Sequence, residues 1–594
     1  MPLQIYRMNF IKTFFASCLG SLVALGLIIV LIIGSFTAMI SGLSGDDRKV
    51  TVEENSVLHL KLNVPITENE VENPLEGLPI PGAESPLGLL PFKKVIGNAM
   101  TDSSIQGIYL DLNIFMSGYG VAKEIRDALL EFRTSGKWVV AYSEMYTEQA
   151  YYIASAADKV YLNPEGEMEF NGLSVEVSFF KKMFDKLDIK PQIFRVGDFK
   201  SAVEPFMLEK MSHENRTQLN ELISDLHHTL LQDISKSRDI SYDQLKKMAD
   251  KMSVTDSKSA HQFNLVDSLF YFDQVQHELR DRLGLAEDED INFIKYGKYK
   301  KSFSAYSDSK NEIAVIVADG DILPGKARSG VIGSETFADE LRKARNNDRV
   351  KAIVLRINSP GGSALASDVM WREIMLTTKV KPVIASMSDY AASGGYYLAM
   401  GCDSIVAQPT TITGSIGVFS VLFDISSFLD SKIGITFDEV KTGEVGELIT
   451  ITRPLTEVEK TIWQKRTDEI YNSFTAKAAE GRNMSVEDLR KVASGRVWTG
   501  AQAKERGLVD VLGNFEDAVE IAARKAGVQE DYKIRFYPKQ KSFIEEWLSE
   551  AEDFTTTRLL KSELGADYPV YMRIRDLKNY QGSQMRLPFE MKIQ

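Results

Sequence analysis

The chain has 594 residues, of which 44% are hydrophobic and 26% are charged, and this ordinary globular composition excludes a mostly disordered, collagen-like or polytopic membrane protein. The formal net charge of −13 argues against a nucleic-acid-binding protein, because such proteins usually carry a basic face. With only two cysteines, Cys18 and Cys402, the chain cannot be a disulfide scaffold or a zinc finger.

An uncharged segment extends from Thr13 to Gly45. Its apolar core, residues 14–40, is long enough to span a hydrocarbon layer about 30 Å thick. Because Arg7 and Lys12 precede this segment, the positive-inside rule predicts a short cytoplasmic N-terminus, one transmembrane helix and a body outside the cytoplasm. A cleaved signal peptide is the alternative, although the apolar run is longer than a signal peptide needs.

The rest of the chain repeats itself once. Gly107–Asn113 matches Ala352–Asn358, and Tyr151–Ala154 matches Tyr396–Ala399, both at an offset of 245 residues. A constant offset over this distance indicates a tandem duplication. In each copy, short apolar runs alternate with helical patterns, which predicts an α/β fold with a parallel sheet covered by helices.

The pattern is clearest in the second copy. It predicts strands over Ile313–Val317, Ala352–Ile357, Val383–Ser386 and Ser404–Ala407. It predicts helices near Ala364–Leu376, Ser393–Met400 and Glu457–Ala479. The first copy differs in residues 65–91, where six prolines predict an inserted loop that the second copy lacks.

These patterns divide the chain into five parts. They are residues 1–45 as the cytoplasmic N-terminus and transmembrane anchor, 46–285 as the first α/β domain, 286–310 as a charged linker, 311–530 as the second α/β domain, and 531–594 as a C-terminal tail.

Ser393 is a candidate nucleophile. It lies in a run of small residues, Ala391–Gly395, directly before a predicted helix. Small neighbours allow a sharp turn that exposes the hydroxyl, and N–H groups at a helix start can stabilise negative charge. Upstream, Asn358–Gly362 ends a strand with two glycines, so a backbone N–H there can approach an oxyanion closely. Each glycine motif alone is equally consistent with an ordinary tight turn.

A comparison of the two copies favours the catalytic interpretation. At the 245-residue offset, Ser393 corresponds to Glu148, Gly361 to Met116 and Ser415 to Phe170. If these residues served folding alone, the first copy should need them too. Conversely, Lys200 in the first copy has no lysine counterpart in the second. One copy therefore keeps a candidate nucleophile and the other a candidate base.

A serine nucleophile needs a group that accepts its proton. All six histidines lie in the first 277 residues, so the second copy has none. A lysine can serve if burial lowers its pKa from about 10.4 towards neutrality. The apolar neighbours Phe199 and Phe206 favour such a setting for Lys200, and the Ser415 hydroxyl could hold the amine in place. An exposed surface lysine is the alternative.

Five segments together resemble the signal peptide peptidase A (protease IV) family in its long, duplicated form. They are Gly197–Phe206, Asn358–Gly362, Ala391–Gly395, Thr413–Gly417 and Gly507–Asp510. The resemblance covers about residues 10–530. It implies a tandem duplication of a crotonase-like (Clp protease-like) ββα domain behind an N-terminal transmembrane helix. It also implies a serine/lysine endopeptidase that degrades signal peptides after their release.

The resemblance assigns a role to each motif residue. It makes Ser393 the nucleophile, Lys200 the general base, Ser415 the residue that orients the lysine, and Gly361 and Gly394 the oxyanion donors. It implies a homotetramer whose substrates are signal-peptide remnants and other peptides. It further implies a single-pass protein of the inner (cytoplasmic) membrane with its catalytic body on the periplasmic side. No metal, other cofactor or nucleic-acid partner is expected, since the sequence has no His/Cys ligand cluster and no phosphate-binding loop.

Two other functions stay open at the level of the residues. An acyl-CoA-processing enzyme could use the same crotonase-like fold, because a fold does not determine a function. A catalytically inactive, membrane-bound scaffold that binds peptides is the second alternative. The sequence also leaves open whether Ser393 and Lys200 meet within one chain or across two.

Overall fold

The computed structural model describes residues 14, 17, 19–28, 31, 34, 50–70, 86–303, 309–328, 330–537 and 582–587. The described positions between 14 and 34 are helical, and large apolar side chains such as Leu19, Leu22 and Leu25 are more than half exposed there. The remainder of the predicted membrane segment, 14–40, lies outside the described residues. In the described part of the chain, no helix combines the length and the apolar character needed to cross a membrane.

The first copy is built around a six-stranded parallel sheet. The strands up to residue 300 are β1 (Ser56–Lys61), β2 (Ile66–Thr67), β3 (Leu87–Gly88), β4 (Ile105–Asp111), β5 (Trp138–Tyr146), β6 (Lys159–Met168), β7 (Lys190–Val196), β8 (Ser268–Leu269) and β9 (Phe293–Lys295). The helices are α1 (Leu89–Thr101), α2 (Tyr119–Arg133), α3 (Glu148–Ala154), α4 (Lys181–Lys186), α5 (Glu204–Met207), α6 (His213–Arg238), α7 (Tyr242–Asp250), α8 (Ser257–Gln262), α9 (Phe272–Leu283) and α10 (Tyr296–Lys300). The sheet has the strand order β8-β6-β5-β4-β1-β9.

The strands of this sheet are apolar on both faces because helices cover both. In β4, Ile108 and Leu110 point into the main core of the first copy, while Tyr109 between them packs in a smaller cluster on the other face. Alternation of this kind follows from the two-residue period of a strand. It explains why the strands read as continuous apolar runs in the sequence.

The second copy repeats this design. Its strands are β10 (Glu312–Asp319), β11 (Asp321–Leu323), β12 (Val331–Gly333), β13 (Val350–Ser359), β14 (Gly361–Ser363), β15 (Val383–Ala392), β16 (Ser404–Ala407), β17 (Ile412–Gly414), β18 (Val418–Asp424), β19 (Val497–Thr499), β20 (Val511–Leu512), β21 (Lys533–Tyr537) and β22 (Gly582–Arg586). Its helices are α11 (Ser334–Asn346), α12 (Ala364–Thr378), α13 (Gly394–Ala399), α14 (Ser426–Phe428), α15 (Glu457–Gly481), α16 (Val486–Val492), α17 (Gly500–Glu505) and α18 (Phe515–Ala526). The main sheet runs β19-β17-β15-β13-β10-β21, with β16 joining β15 to β20.

The structure agrees with the predicted duplication and with the predicted elements of the second copy. Helices α1 and α11 have the same length and lie 245 residues apart, as do the first residues of β4 and β13. Each of the four predicted strands and three predicted helices is present, and β15 continues beyond its predicted end to Ala392. That extension carries the chain directly to Ser393.

A third sheet joins the two copies, in the order β12-β11-β14-β22-β18-β7. Strand β7 belongs to the first copy and pairs antiparallel with β18 of the second. Strand β22 comes from the C-terminal segment and lies between β14 and β18. Residues that are distant in the sequence therefore meet along one sheet.

The predicted boundaries need correction at two places. Within the predicted linker 286–310, β9 pairs with β1 and extends the first sheet, and Tyr296 and Tyr299 are buried against the first core. This apolar stretch is too short to give a periodic signal among charged neighbours. Within the predicted tail 531–594, β21 pairs with β10, so the second sheet extends past residue 530.

The predicted loop 65–91 also ends earlier than its proline content indicates. Helix α1 begins at Leu89, and the side chains of Leu89 and Leu90 are buried. Residues 71–85 of this loop lie outside the described residues.

Candidate active site

Ser393 lies between the end of β15 and the start of α13. Its backbone has φ +55° and ψ −110°, a conformation that residues with a side chain rarely adopt. Its N–H donates to the carbonyl of Gly414 at 2.8 Å, and this bond to β17 holds the turn. The small residues around Ser393 are needed because a methyl group on Gly394 would lie only 2.7 Å from the hydroxyl of Ser367. The side chain of Ser393 is fully buried, so the prediction of an exposed hydroxyl is wrong.

Lys200 follows the sharp turn that ends β7 and directly precedes a short 3₁₀ helix, Ser201–Val203. Two glycines of the second copy make room for its stem. A methyl group on Gly495 would come within 2.6 Å of the Lys200 Cβ atom, and one on Gly417 within 3.1 Å of its Cδ atom. The side chain of Lys200 is therefore enclosed and has no exposed surface.

The structure brings Lys200, Ser393 and Ser415 together within one chain. The Lys200 Nζ atom lies 2.9 Å from the Ser393 Oγ atom and 3.0 Å from the Ser415 Oγ atom. It also lies 3.2 Å from the Ser415 carbonyl oxygen. These are hydrogen-bond distances, so the amine is held by Ser415 and faces the hydroxyl of Ser393.

Burial lowers the pKa of the Lys200 amine well below its ordinary value of 10.5. An ammonium ion in an apolar setting loses its hydration, and only a neighbouring carboxylate could restore the charged form. No carboxylate of the described residues forms an ion pair with Lys200, so burial acts unopposed. The arrangement can therefore hold a neutral amine that accepts a proton from a hydroxyl.

Gly361 and Gly394 lie next to one another at the start of β14 and α13. A methyl group on Gly394 would be 3.1 Å from the α-carbon of Gly361, and one on Gly361 would be 2.7 Å from the nitrogen of Gly394. Gly361 has φ +104°, which favours glycine. Its N–H donates to the hydroxyl of Ser359 at 3.2 Å. The Gly394 N–H thus lies next to Ser393, where an oxyanion donor would be needed, and the Gly361 N–H would have to leave Ser359 to join it.

The first copy has no hydroxyl group at the positions that correspond to Ser393 and Ser415. The Glu148 carboxylate accepts hydrogen bonds from the N–H groups of Asn171 and Gly172 at 2.9 and 2.8 Å. Its other oxygen lies 3.2 Å from the Nε2 atom of His227. Phe170, at the position of Ser415, is buried in the core. In the first copy, side chains that stabilise the fold therefore occupy the positions that correspond to Ser393 and Ser415.

Several parts of this site have no motif in the sequence. Gly495 and Phe419 border the lysine, with the Nζ atom 6.0 Å from the centre of the Phe419 ring. Strand β22 (Gly582–Arg586), next to Gly361, lies in the segment predicted as a C-terminal tail. Its alternation of polar and apolar residues from Gln584 to Leu587 was the only signal for a strand there, and four residues are too few to predict one.

Two regions of the chain match one known protein family. Residues 131–286 and 376–529 each match peptidase family S49. Two matches in one chain define a serine-type peptidase with a duplicated domain. The chain belongs to peptidase family S49. This confirms the resemblance to signal peptide peptidase A that the motifs indicated.

Three relatives show how far the similarity extends. Protease 4 of Haemophilus influenzae is 32% identical over 583 residues, which cover 94% of this chain and 93% of that protein. Protease 4 of Salmonella typhi is 37% identical over 459 residues, 76% of this chain and 74% of that protein. The chloroplastic serine protease SPPA of Arabidopsis thaliana is 36% identical over 444 residues, 73% of this chain and 65% of that protein.

Proposed function

We propose that this chain is an endopeptidase in which Ser393 is the nucleophile and Lys200 is the general base. The observation that carries the proposal is the distance of 2.9 Å between the Nζ atom of Lys200 and the Oγ atom of Ser393, two fully buried side chains. The lowered pKa of Lys200 supports it, because a base must be neutral before it can accept a proton.

The reaction proceeds in two halves. In the first, Lys200 takes the proton of Ser393 while the Oγ atom attacks the peptide carbonyl, and the N–H groups of Gly361 and Gly394 stabilise the oxyanion. The Lys200 ammonium then gives its proton to the leaving amine, which leaves an acyl-enzyme. In the second half, Lys200 accepts a proton from water, the resulting hydroxide attacks the ester, and the acid leaves as Ser393 regains its proton. Ser415 keeps the amine in position throughout.

Released signal peptides and other peptides are the substrates in this proposal. A membrane anchor within residues 14–40, with the body on the periplasmic side, would place the enzyme beside peptides left in the membrane. The uncharged run from Thr13 to Gly45 and the exposed apolar side chains of residues 19–28 support such an anchor. A homotetramer is part of the same proposal and rests on the family resemblance.

The test is covalent labelling combined with substitution. We expect a fluorophosphonate to label Ser393, and Ser393→Ala, Lys200→Ala and Lys200→Arg each to lower peptide hydrolysis at least about a thousand-fold. Arginine fails because it does not release its proton at working pH. The control is Lys236→Ala, which removes a lysine whose side chain is 76% exposed, and it should keep full activity.

Three outcomes would contradict the proposal. Near-normal hydrolysis by Lys200→Ala would show that Lys200 is not the general base. If activity depended on a histidine of the first copy, such as His227, that histidine would be the base instead. A chain that neither reacts with the fluorophosphonate nor hydrolyses peptides would be an acyl-CoA enzyme or an inactive scaffold.

A further inference from the structure

Gln218 of α6 has a buried side-chain amide beside the segment that carries Lys200. Its side chain is 1% exposed. The Nε2 atom lies 3.1 Å from the carbonyl oxygen of Phe199 and 2.9 Å from the Oγ atom of Ser201, the residues on either side of Lys200. Both are hydrogen-bond distances, so one amide group binds the chain immediately before and immediately after the lysine.

The orientation of this amide is fixed by its neighbours. The Gln218 Nε2 atom also lies 3.1 Å from the Oδ1 atom of Asn215, which is one turn earlier on α6. The Asn215 amide nitrogen in turn donates to the Glu204 carboxylate at 3.0 Å, and the same carboxylate accepts the N–H of Ser212. Because a carboxylate only accepts, Asn215 directs its nitrogen at Glu204 and its oxygen at Gln218. The nitrogen of Gln218 therefore faces the lysine segment.

The oxygen of the Gln218 side chain contacts the second copy. The N–H of Val497, in β19, donates to the Gln218 Oε1 atom at 3.4 Å. The carbonyl of Arg496, the residue before it, accepts the N–H of Ser415 at 2.7 Å, and Ser415 holds the Lys200 amine. One side chain therefore contacts both the segment that carries the lysine and the segment that borders Ser415.

The contact between α6 and the second copy does not depend on Gln218. Glu221 forms an ion pair with Arg496, and Asp225 accepts a hydrogen bond from the hydroxyl of Thr499. Their spacing places Glu221 and Asp225 on the same face of the helix as Gln218. Loss of the Gln218 amide should therefore leave the two copies in contact and release only the chain around the lysine.

We propose that Gln218 is a positioning residue for the general base, because its amide holds the backbone on both sides of Lys200 and so keeps the amine enclosed and within reach of Ser393. Gln218 acts through Lys200 and not on the reacting atoms. This inference rests on the proposed function, since it assigns a supporting residue to the same base. A looser backbone would move the amine away from Ser393, and small displacements of a catalytic group are costly. It would also admit water to the amine, and hydration favours the ammonium form.

The test uses Gln218→Leu, which has a similar size but no amide. We expect kcat for a peptide to fall about tenfold to a hundredfold with an unchanged KM. The rate at which a fluorophosphonate labels Ser393 should fall by a similar factor. The midpoint of the pH profile of labelling should rise by at least about half a pH unit, because a hydrated amine has a higher pKa than a buried one. A residue that only stabilised the fold would reduce the amount of active enzyme and would not move this midpoint.

Gln192→Leu is the matched control. The Oε1 atom of Gln192 likewise accepts a backbone N–H of the second copy, from Leu455 at 2.8 Å, but Gln192 lies within β7, before the turn that leads to Lys200. This variant should keep the native kcat, labelling rate and pH midpoint.

Gln218→Glu is a second test variant that remains informative if leucine prevents folding. Glutamate keeps the size of the side chain and the acceptor for the Val497 N–H, but its carboxylate cannot donate to the carbonyl of Phe199. It should therefore also slow the labelling of Ser393 and raise the midpoint.

The outcomes separate this inference from the proposed function. A native labelling rate in the Gln218 variants, a lower rate with an unmoved midpoint, or equal changes in Gln192→Leu would overturn the role of Gln218. Loss of labelling in Lys200→Ala would still support the base in each of these cases. Unimpaired labelling in Lys200→Ala would overturn the proposed function itself, whatever the Gln218 variants show.

Discussion

The proposed chemistry depends on the burial of one lysine side chain. Lys200 has no exposed surface, and its amine contacts the hydroxyls of Ser393 and Ser415 rather than a carboxylate. In water an amine of this kind is charged at neutral pH, so only burial can make it a base there. The glycines at 417 and 495 allow that burial, since any side chain at 495 would displace the lysine stem.

The pH dependence of hydrolysis should report the state of Lys200. Because the base must be neutral, activity is lost as the pH falls through the pKa of Lys200 and is full above it. Burial lowers that pKa, so we expect kcat/KM to rise with a midpoint well below 10.5. Peptide hydrolysis measured between pH 5 and pH 10 checks this. A profile that stays flat, or that rises only near the pKa of a free lysine, would show that a buried lysine is not the base.

Burial of this amine should also cost stability, and the cost should depend on pH. Below 10.5 the unfolded chain takes up a proton at Lys200 that the folded chain does not, so the native protein loses stability as the pH falls towards the lowered pKa. Lys200→Met removes this effect. Relative to the native chain, the variant should therefore gain about 1.4 kcal/mol for each pH unit below 10.5 until the pKa of Lys200 is reached. Urea unfolding at pH 7 and pH 9.5 measures the change, and an equal stability difference at both pH values would refute it.

At the scale of elements, the sequence predicted those strands and helices whose residues show a local hydrophobic pattern. The parallel strands and the helices of the second copy follow from apolar runs that alternate with amphipathic stretches, and Ser393 follows from the comparison of the copies. The pairing of β7 with β18 could not be predicted in this way. It joins segments more than two hundred residues apart and leaves no periodic signal in either. For the same reason the sequence did not show that Lys200 reaches Ser393 within one chain.

The turn that begins β14 should be essential for activity. A side chain at Gly361 is strained at φ +104°, and it would also overlap the Met585 carbonyl of β22 and crowd the Gly394 nitrogen. Gly361→Ala keeps the N–H but should displace it, and should therefore lower kcat/KM for a peptide by up to about a hundred- to a thousand-fold, the effect of losing one oxyanion donor. Gly527→Ala is the matched control, because Gly527 has φ +69° and a methyl group there meets nothing within 4 Å. It should cost about 1 kcal/mol of stability without changing kcat/KM. Equal activities of the two variants would rule out this role for Gly361.

At the scale of the whole molecule, a buried cluster of ion pairs connects the two copies. Arg356 of β13 is fully buried, with its Nε atom 2.7 Å from Glu68 and its Nη1 atom 2.7 Å from Glu124. Both glutamates belong to the first copy. Lys93 lies 2.7 Å from the other oxygen of Glu124.

A second contact between the copies is made by Asp389, whose carboxylate accepts hydrogen bonds from backbone N–H groups at the start of α2. Because the proposed base comes from one copy and the proposed nucleophile from the other, these contacts support the geometry of the candidate active site.

Loss of Arg356 should therefore weaken both folding and catalysis. Arg356→Met leaves Glu68 and part of Glu124 buried without a positive partner, which typically costs about 3–5 kcal/mol. Arg342→Met is the control, since its side chain is 48% exposed and its ion pairs contribute about 1 kcal/mol or less. Urea unfolding of both variants measures the difference. Adding Glu68→Gln to Arg356→Met should recover part of the loss, because a neutral amide is cheaper to bury than a carboxylate. If Arg356→Met were as stable as Arg342→Met and kept full peptide hydrolysis, the ionic cluster would not be what holds Lys200 of the first copy against Ser393 of the second.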